Sequence, residues 1–223
     1  MTVVTPPLSA AQVSQLHDAC LSASGWPAVV PGLPEPVPAV LNWVLANHRF
    51  NSQLWAEEDL ARRTTVAASE IAANKRAIDG FNQARNDATE RVDELLLLAL
   101  GLVDEASARS DAPQAVVAPG ARLNSETAGS IIDRMSIMAL KVHAMRAQTR
   151  RQDVDVDHRE SSAVKLQRLL QQRADLAHCL DQLLADAAAG RAYFKVYRQF
   201  KMYNDARFNP VLVAEQRQHA GRA

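Results

Sequence analysis

One leucine-rich stretch decides the fold class of this chain: residues 157–189, DHRESSAVKLQRLLQQRADLAHCLDQLLADAAA. Its leucines recur at helical spacing, with charged and amide side chains between them, a pattern typical of an amphipathic α-helix. Gly190 comes directly after the stretch, and glycine often ends a helix because it accepts a positive φ without strain. We therefore predict a single long helix over residues 157–189.

Helical periodicity covers most of the remaining chain as well. Hairpin dipeptides are absent apart from Asp79-Gly80, which lies inside a helical pattern. The other predicted helices span about residues 9–22, 38–63, 69–104 and 124–151. Their predicted N-caps are Ser9, Ser69 and either Asn124 or Ser125. Long helices with shortish connections predict an all-α fold, an antiparallel bundle of about five to six helices with long central helices.

Prolines divide the chain into parts. Residues 25–38, GWPAVVPGLPEPVP, hold five of the ten prolines and cannot be helical inside, because proline lacks the amide donor. The predicted parts are a short helix with a proline-rich linker over 1–38, a helical-bundle domain over 39–210 and a C-terminal tail over 211–223. The aromatic and basic segment 191–205 is open to three interpretations: an amphipathic helix that closes the bundle, part of a ligand site, or an RNA contact.

The composition excludes several classes of protein. The chain has 223 residues with 25 basic and 25 acidic side chains, so it lacks the positive field that favours nucleic-acid binding. Its longest apolar run, residues 95–100, is far shorter than the roughly 18 residues of a membrane helix. The N-terminus lacks the pattern of a signal peptide, and two distant cysteines give no disulfide framework. We therefore expect a cytoplasmic protein without nucleic-acid or membrane partners.

Polar residues occupy positions that should face the core of the bundle. In the helix predicted over 38–63, Leu41, Val44 and Leu45 mark the inward face. The same face continues at steps of three and four through His48, Asn51, Trp55, Glu58 or Asp59, and Arg62. A neutral polar group that is buried without a partner costs on the order of 2–7 kcal/mol. These side chains must therefore meet partners, water or a ligand.

In two further predicted helices, polar residues also occupy positions on or beside the inward face. In the helix predicted over 69–104, the face that carries Ile78 and Val92 also carries Lys75, Asn82, Arg85, Asn86 and Asp93, with Asp79 beside it. In the helix predicted over 124–151, a mixed face contains Ser130, Asp133 or Arg134, and Lys141. The N-terminus of that helix carries unpaired amides, which can bind an anion.

Four segments of the chain together resemble one known family. They are 48–63, HRFNSQLWAEEDLARR; 75–93, KRAIDGFNQARNDATERVD; 123–145, LNSETAGSIIDRMSIMALKVHAM; and 197–210, YRQFKMYNDARFNP. The resemblance extends over about residues 40–210 and is to a bacterial family, the domain of unknown function numbered 4254. It implies a bacterial cytosolic origin and supports the choice of these segments. It implies no catalytic roles, because the family has no assigned activity.

These residues predict a polar interhelical pocket for an anionic small molecule, in an enzyme or a ligand-binding protein. A phosphorylated metabolite or a sugar nucleotide is the expected class of ligand. The candidate acids and bases are His48, Glu58 and Asp59. The predicted anion-binding cations are Arg62, Lys75, Arg85, Arg134 and Lys141. The other predicted ligand contacts are Asn51, Trp55, Asp79, Asn82, Asn86, Asn124, Ser125, Asp133, Lys201 and Asn204.

Two alternatives stay open at this point. Glu90 and Asp93 form an E-x-x-D pair, as in helical pyrophosphohydrolases that hold magnesium, but helical geometry turns them in different directions. No metal ligands are therefore predicted, and the cofactor is left unknown, with a divalent metal as a lesser alternative. The other alternative is a non-catalytic scaffold protein, in which the same polar residues form a closed internal network. A homodimer is then expected, with the helix around residues 169–184 as its interface.

Overall fold

The computed structural model describes residues 6–33, 37–199 and 207–220, and it confirms the all-α bundle. Among those residues there are seven helices and one pair of two-residue strands. The helices are α1 Ala10–Ser22, α2 Ala39–Ala61, α3 Ala68–Ala99, α4 Glu105–Ala108, α5 Ala128–Thr149, α6 Val156–Ala188 and α7 Pro210–Ala220. The strands β1 Arg122–Leu123 and β2 Ala192–Tyr193 pair in parallel. Helix α7 begins at the last residue of the predicted bundle domain and lies otherwise in the predicted C-terminal tail.

Two helix hairpins form the bundle. Helix α2 packs along α3, and α5 packs along α6; a short connection joins each pair, so its helices run antiparallel. Helix α5 also contacts α2 and α3, which brings the two hairpins together, and α1 lies against α5, α6 and α2. No helix within the described ranges is long and apolar enough to cross a membrane.

The apolar core lies towards one end of this bundle. It contains Val44 near the start of α2, Leu96 near the end of α3 and Met135 in the first half of α5, all fully buried. The second half of α6 contributes Leu180 and Leu184. Beyond this core, the same inward faces of α2 and α3 carry polar side chains. The change from apolar to polar along each face therefore marks the place where the core ends.

Local sequence sets two helix ends as predicted, the start of α1 and the end of α6. Helix α1 begins with a capping box, in which the Ser9 hydroxyl accepts from the Gln12 amide and the Gln12 side chain accepts from the Ser9 amide. Gly190 follows α6 with a φ of 70°, in the left-handed region that glycine tolerates. Ser69 is not the N-cap of α3, because that helix begins after Ala67 and has no side-chain cap.

The start of α5 differs from the prediction. Neither Asn124 nor Ser125 is its N-cap; the cap is Thr127, whose hydroxyl accepts a hydrogen bond from the Ser130 amide at 3.0 Å. The reason is the pairing of β1 with β2, in which the Asn124 amide donates to the Tyr193 carbonyl at 2.8 Å. This pairing holds the chain extended where the helix was expected to begin.

The described part of the segment 191–205 is extended, so the amphipathic helix is wrong over residues 191–199. Ala192, Phe194 and Val196 are buried, and they alternate with more exposed neighbours. A period of two is the pattern of a strand, because successive side chains of an extended chain point to opposite sides. Ala192, Phe194 and Val196 therefore pack on the core, and residues 192–199 form a strap along the bundle.

Arg198 joins this strap to α3. Arg198→Met is therefore expected to lower the free energy of unfolding by about 2 kcal/mol. Its guanidinium donates to Glu90 Oε2 at 3.0 Å and to Glu94 Oε1 at 2.5 Å. Glu94 is buried and also pairs with Arg91, so the substitution removes one of two cations from a carboxylate that water solvates poorly. Urea denaturation measures the change, and Arg191→Met, at an exposed guanidinium, is the control with little effect. Equal stabilities of the two variants would contradict this role of Arg198.

Candidate functional site

A groove of about 380 Å³ opens between α2, α3 and α5, beyond the apolar core. Seven of the residues predicted for the site line it: Asn51, Trp55, Glu58, Asp59, Arg62, Asn82 and Arg85. The apolar side chains of Leu54, Ile137 and Leu140 complete its walls. Helical spacing explains this grouping, because residues three or four positions apart share one face of a helix.

Arg85 is the more buried of the two arginines that line the groove. Its side chain is 26% exposed, whereas that of Arg62 is 68% exposed. One terminal nitrogen of Arg85 donates to Asn86 Oδ1 at 3.2 Å. Its Nε is buried, lies 3.9 Å from Asp133 Oδ1, and has no hydrogen-bond partner among the described residues. Because an unsatisfied buried donor is costly, this nitrogen is the group in the groove that most needs an acceptor.

Asp133 lies beside the groove and positions two amide side chains. Its Oδ1 accepts hydrogen bonds from Asn47 Nδ2 and from Asn51 Nδ2, each at 2.8 Å. Asn47 also donates to Thr89 Oγ1 at 3.1 Å, which ties α2 to α3. The sequence prediction missed Asn47, although it lies one helical turn before Asn51, and that spacing is the signal that could have revealed it.

His48, a predicted acid or base, is fully buried and does not line the groove. Its Nδ1 lies 2.8 Å from Ser136 Oγ, and its ring stacks on those of His17 and Trp26, with centroids 4.4 and 5.4 Å away. Burial lowers the pKa of His48 to about 3; the main-chain carbonyl of His17 opposes this shift, and the charge of Arg173 adds to it. The imidazole is therefore neutral near pH 7.

His17 brings a second buried imidazole from α1. Neither of its ring nitrogens has a hydrogen-bond partner within the described ranges. Burial lowers the pKa of His17 well below its usual 6.5, and the nearby His48 and Arg173 lower it further. Sequence reasoning did not find this pair, because the contact depends on how α1 packs on the bundle and leaves no local pattern.

Glu58, Asp59 and Arg62 form an exposed rim along the end of α2. Arg62 lies 3.3 Å from a carboxylate oxygen of Glu58 and 3.9 Å from one of Asp59. Exposed ion pairs contribute at most about 1 kcal/mol, because water solvates the separated charges well. Breaking the ion pairs of Arg62 with Glu58 and Asp59 would therefore cost little free energy if a ligand replaced them.

Several predicted residues lie away from the groove. Lys75 and Asp79 pair with each other on the exposed surface of α3. Arg134 lies 2.5 Å from Glu126, in a depression between α5 and α6. These three charged side chains therefore belong to surface ion pairs, although the helical pattern placed them on or beside inward faces.

The remaining predicted ligand contacts have other partners or positions. Asn124 donates to the Glu126 carbonyl at 2.6 Å, and Ser125 is exposed in the same loop. Asn86 accepts from Arg85 and donates to Gln199 Oε1 at 2.7 Å. Lys141 borders a separate hollow next to Trp55. Lys201 and Asn204 lie outside the described residues.

The N-terminus of α5, which was predicted to bind an anion, already holds a side chain of α3. Asp93 Oδ1 accepts a hydrogen bond from the Gly129 amide at 2.6 Å. Burial raises the pKa of Asp93 to about 7. Hydrogen bonds from the Thr127 hydroxyl and the Gly129 amide favour the charged form and so reduce this rise. Glu90 and Glu94 add to the rise through charge repulsion. This helix terminus is therefore not free for an external ligand.

The E-x-x-D pair does not form a joint site. Glu90 binds Arg198, whereas Asp93 binds the Gly129 amide. In residues 6–33, 37–199 and 207–220, no three His, Cys, Asp or Glu side chains come together closely enough to hold a metal ion.

Comparison with known proteins gives one match. Residues 41–196 match the model of a family described as "Protein of unknown function (DUF4254)". No curated protein and no solved structure matches the chain. The matched range includes every residue that lines the groove and leaves out α1 and α7. Because it covers well over half of the 223 residues, the chain belongs to the DUF4254 family of proteins of unknown function.

Proposed function

We propose that this protein binds a small molecule with an acidic group in the groove between α2, α3 and α5, and that Arg85 anchors this group. The observation that carries the proposal is the buried Arg85 Nε, which lacks a hydrogen-bond partner among the described residues. A guanidinium binds a carboxylate or a phosphate through two parallel hydrogen bonds. An acidic ligand would therefore supply the acceptor that the protein leaves out.

Two neighbouring side chains fit a role in orienting the ligand. Asn82 lines the groove, and its side chain makes no hydrogen bond to another described residue, so its side-chain amide is available to a polar group. Trp55 is 37% exposed, and its indole offers an apolar surface for the body of the ligand. A cation, an amide and an aromatic surface in one groove are typical of a site for a small polar molecule.

Any proton transfer at this site would depend on Glu58 and Asp59. They are the carboxylates that line the groove, and both are exposed enough to exchange protons with a ligand. His48 has no part in this proposal, because its ring lies outside the groove lining and is kept neutral by burial. We therefore propose ligand binding as the primary function and assign acid/base chemistry to the two carboxylates alone.

A non-catalytic scaffold is the second candidate function. It is favoured by the hydrogen bonds of Asn51, whose amide donates to Asp133 and to Ser136, because they form a closed buried network. The expected dimer interface along residues 169–184 fits less well, since Leu180 and Leu184 pack in the core of their own chain. A scaffold would therefore need another surface, and it predicts no Arg85-dependent ligand.

A thermal-shift experiment tests ligand binding. Inorganic phosphate, glucose 6-phosphate and hexyl phosphate, each at millimolar concentration, serve as acidic probes. A probe at ten times its Kd should stabilise the protein by about 1.4 kcal/mol. For a chain of this size, that gain corresponds to a rise in Tm of roughly 3–5 °C.

Arg85→Met should remove this rise, measured against the variant's own ligand-free Tm. Arg134→Met is the matched control, because Arg134 pairs with Glu126 away from the groove, so this variant should keep the full shift. The proposal is wrong if none of the probes raises the Tm of the unchanged protein, or if Arg85→Met responds as strongly as the control.

A further inference from the structure

A second depression adjoins the groove at Trp55. This hollow, of about 250 Å³, is lined by Trp55, Lys141, Ala144, Met145, Gln148 and Leu169. Trp55 also lines the groove, so its indole separates the two spaces and borders both. A ligand that is held at Arg85 and passes the indole therefore enters the hollow.

The chemistry of the hollow is different from that of the groove. Ala144, Met145 and Leu169 give it apolar walls. The Gln148 side-chain oxygen is already committed to other groups, since it lies 3.2 Å from an Arg151 nitrogen and 3.1 Å from His158 Nε2. Lys141 and the Gln148 amide nitrogen are donors in the lining. Hydroxyl groups placed against the three apolar side chains would lose water without gaining hydrogen bonds there, whereas apolar groups gain from burial.

The distance between the two spaces suits one extended ligand. Leu140 lines the groove and Ala144 lines the hollow, and both belong to α5. Four residues of an α-helix rise by about 6 Å, so the hollow begins about one turn further along the helix. The anchor is further away, because Arg85 Nε lies 3.9 Å from Asp133 Oδ1 and Ala144 follows Asp133 on α5 at a rise of about 16 Å. An acidic group at Arg85 and a chain of about ten carbons can therefore occupy both spaces.

From these observations we infer that the ligand is an amphiphilic acid, with an acidic head at Arg85 and an alkyl or aryl body in the hollow beyond Trp55. This inference rests on the proposed function, because it takes Arg85 as the anchor. It narrows the expected class of ligand: a sugar phosphate would place hydroxyl groups against Met145 and Leu169, where the walls offer no partners.

Isothermal titration calorimetry with three probes tests the inference. Decyl phosphate, used below its critical micelle concentration, should bind at least about tenfold more tightly than inorganic phosphate, because its carbon chain moves out of water into the hollow. Glucose 6-phosphate should bind no more tightly than inorganic phosphate. Met145→Gln keeps the size of the side chain and makes it polar, so it should weaken the binding of decyl phosphate about fivefold or more and leave that of inorganic phosphate unchanged.

Met138→Gln is the matched control, because Met138 lies on the same helix and lines the depression between α5 and α6. It should leave the affinities of all three probes unchanged. Equal, Arg85-dependent affinities for decyl phosphate and inorganic phosphate would overturn the inference but would still support the proposed function. The inference also fails if Met145→Gln and Met138→Gln have equal effects, or if glucose 6-phosphate binds most tightly. Loss of binding by every probe would overturn both proposals.

Discussion

Gly129→Ala is expected to lower the free energy of unfolding by about 3 kcal/mol, because the added methyl group has no room. A Cβ at Gly129 would lie 2.6 Å from the Thr89 carbonyl oxygen and 2.9 Å from the Asp93 carboxylate. Both neighbours belong to α3, so α3 and α5 would have to separate. The gain of about 1 kcal/mol from replacing a helical glycine by alanine is too small to offset this.

Gly80→Ala is the matched control in the same bundle. Gly80 lies inside α3, and a Cβ there would meet nothing within 4 Å. This substitution should therefore raise the free energy of unfolding by about 0.5–1 kcal/mol. Urea denaturation of the two variants measures both changes, and the opposite signs are the result that matters. A Gly129→Ala protein as stable as the unchanged chain would show that α3 and α5 are not in such close contact.

Acid is expected to destabilise the protein through the stacked pair of His17 and His48. Both imidazoles have folded-state pKa values well below 6.5, that of His48 at about 3. Below pH 6.5 the unfolded chain therefore binds protons that the folded chain does not. The contribution of each histidine is fully present above pH 6.5 and is lost as the pH falls towards its folded pKa. Within that pH range, each histidine lowers the free energy of unfolding by about 1.4 kcal/mol for every unit by which the pH falls.

Asp93 acts in the opposite direction over the same range. Its folded pKa of about 7 lies above the ordinary 3.8, so the folded chain keeps a proton that the unfolded chain has lost. Its contribution is fully present below pH 3.8 and is lost as the pH rises through about 7. Between pH 6 and pH 4 it therefore offsets one of the two histidines. The net acid dependence should correspond to about one proton.

Variants at these positions separate the two effects. His48→Gln should reduce the loss of unfolding free energy between pH 6 and pH 4 by about 2–3 kcal/mol. Asp93→Asn should increase that loss by a similar amount, because it removes the opposing group. His178→Gln, at an exposed position on α6, is the control that should leave the loss unchanged. Denaturation curves at each pH give these values, and parallel profiles for all three variants would contradict the assignment.

Local patterns predict the helices well because their signals lie within a few residues. The leucines of α6, Gly190 after it and the Ser9 capping box each act over one or two turns. The start of α5 escaped prediction because the β1–β2 pairing joins Asn124 to Tyr193, which lies far along the chain. The strap over residues 192–199 stays open among three interpretations at the level of the sequence for the same reason, since its alternation is too short to outweigh the helical surroundings.

The candidate site was found in part for the same physical reason. Spacing along α2 and α3 places Asn51, Trp55, Asn82 and Arg85 on faces that meet, so seven lining residues follow from two helices. Spacing does not say how far a helix extends beyond its neighbours, and Lys75 lies on an exposed surface although it continues the same face. The contact between His17 and His48 depends on tertiary packing and has no local signal.

The apolar core at one end of the bundle has a consequence for how such a protein can change in evolution. Stability depends mainly on side chains such as Leu96, Met135 and Leu180, which lie apart from those that line the groove. Surface substitutions at Trp55, Glu58 or Asp59 therefore carry little risk of unfolding the chain. Under the proposed function, ligand preference can diverge among relatives while the scaffold persists, because the groove and the core lie in different turns of the same helices.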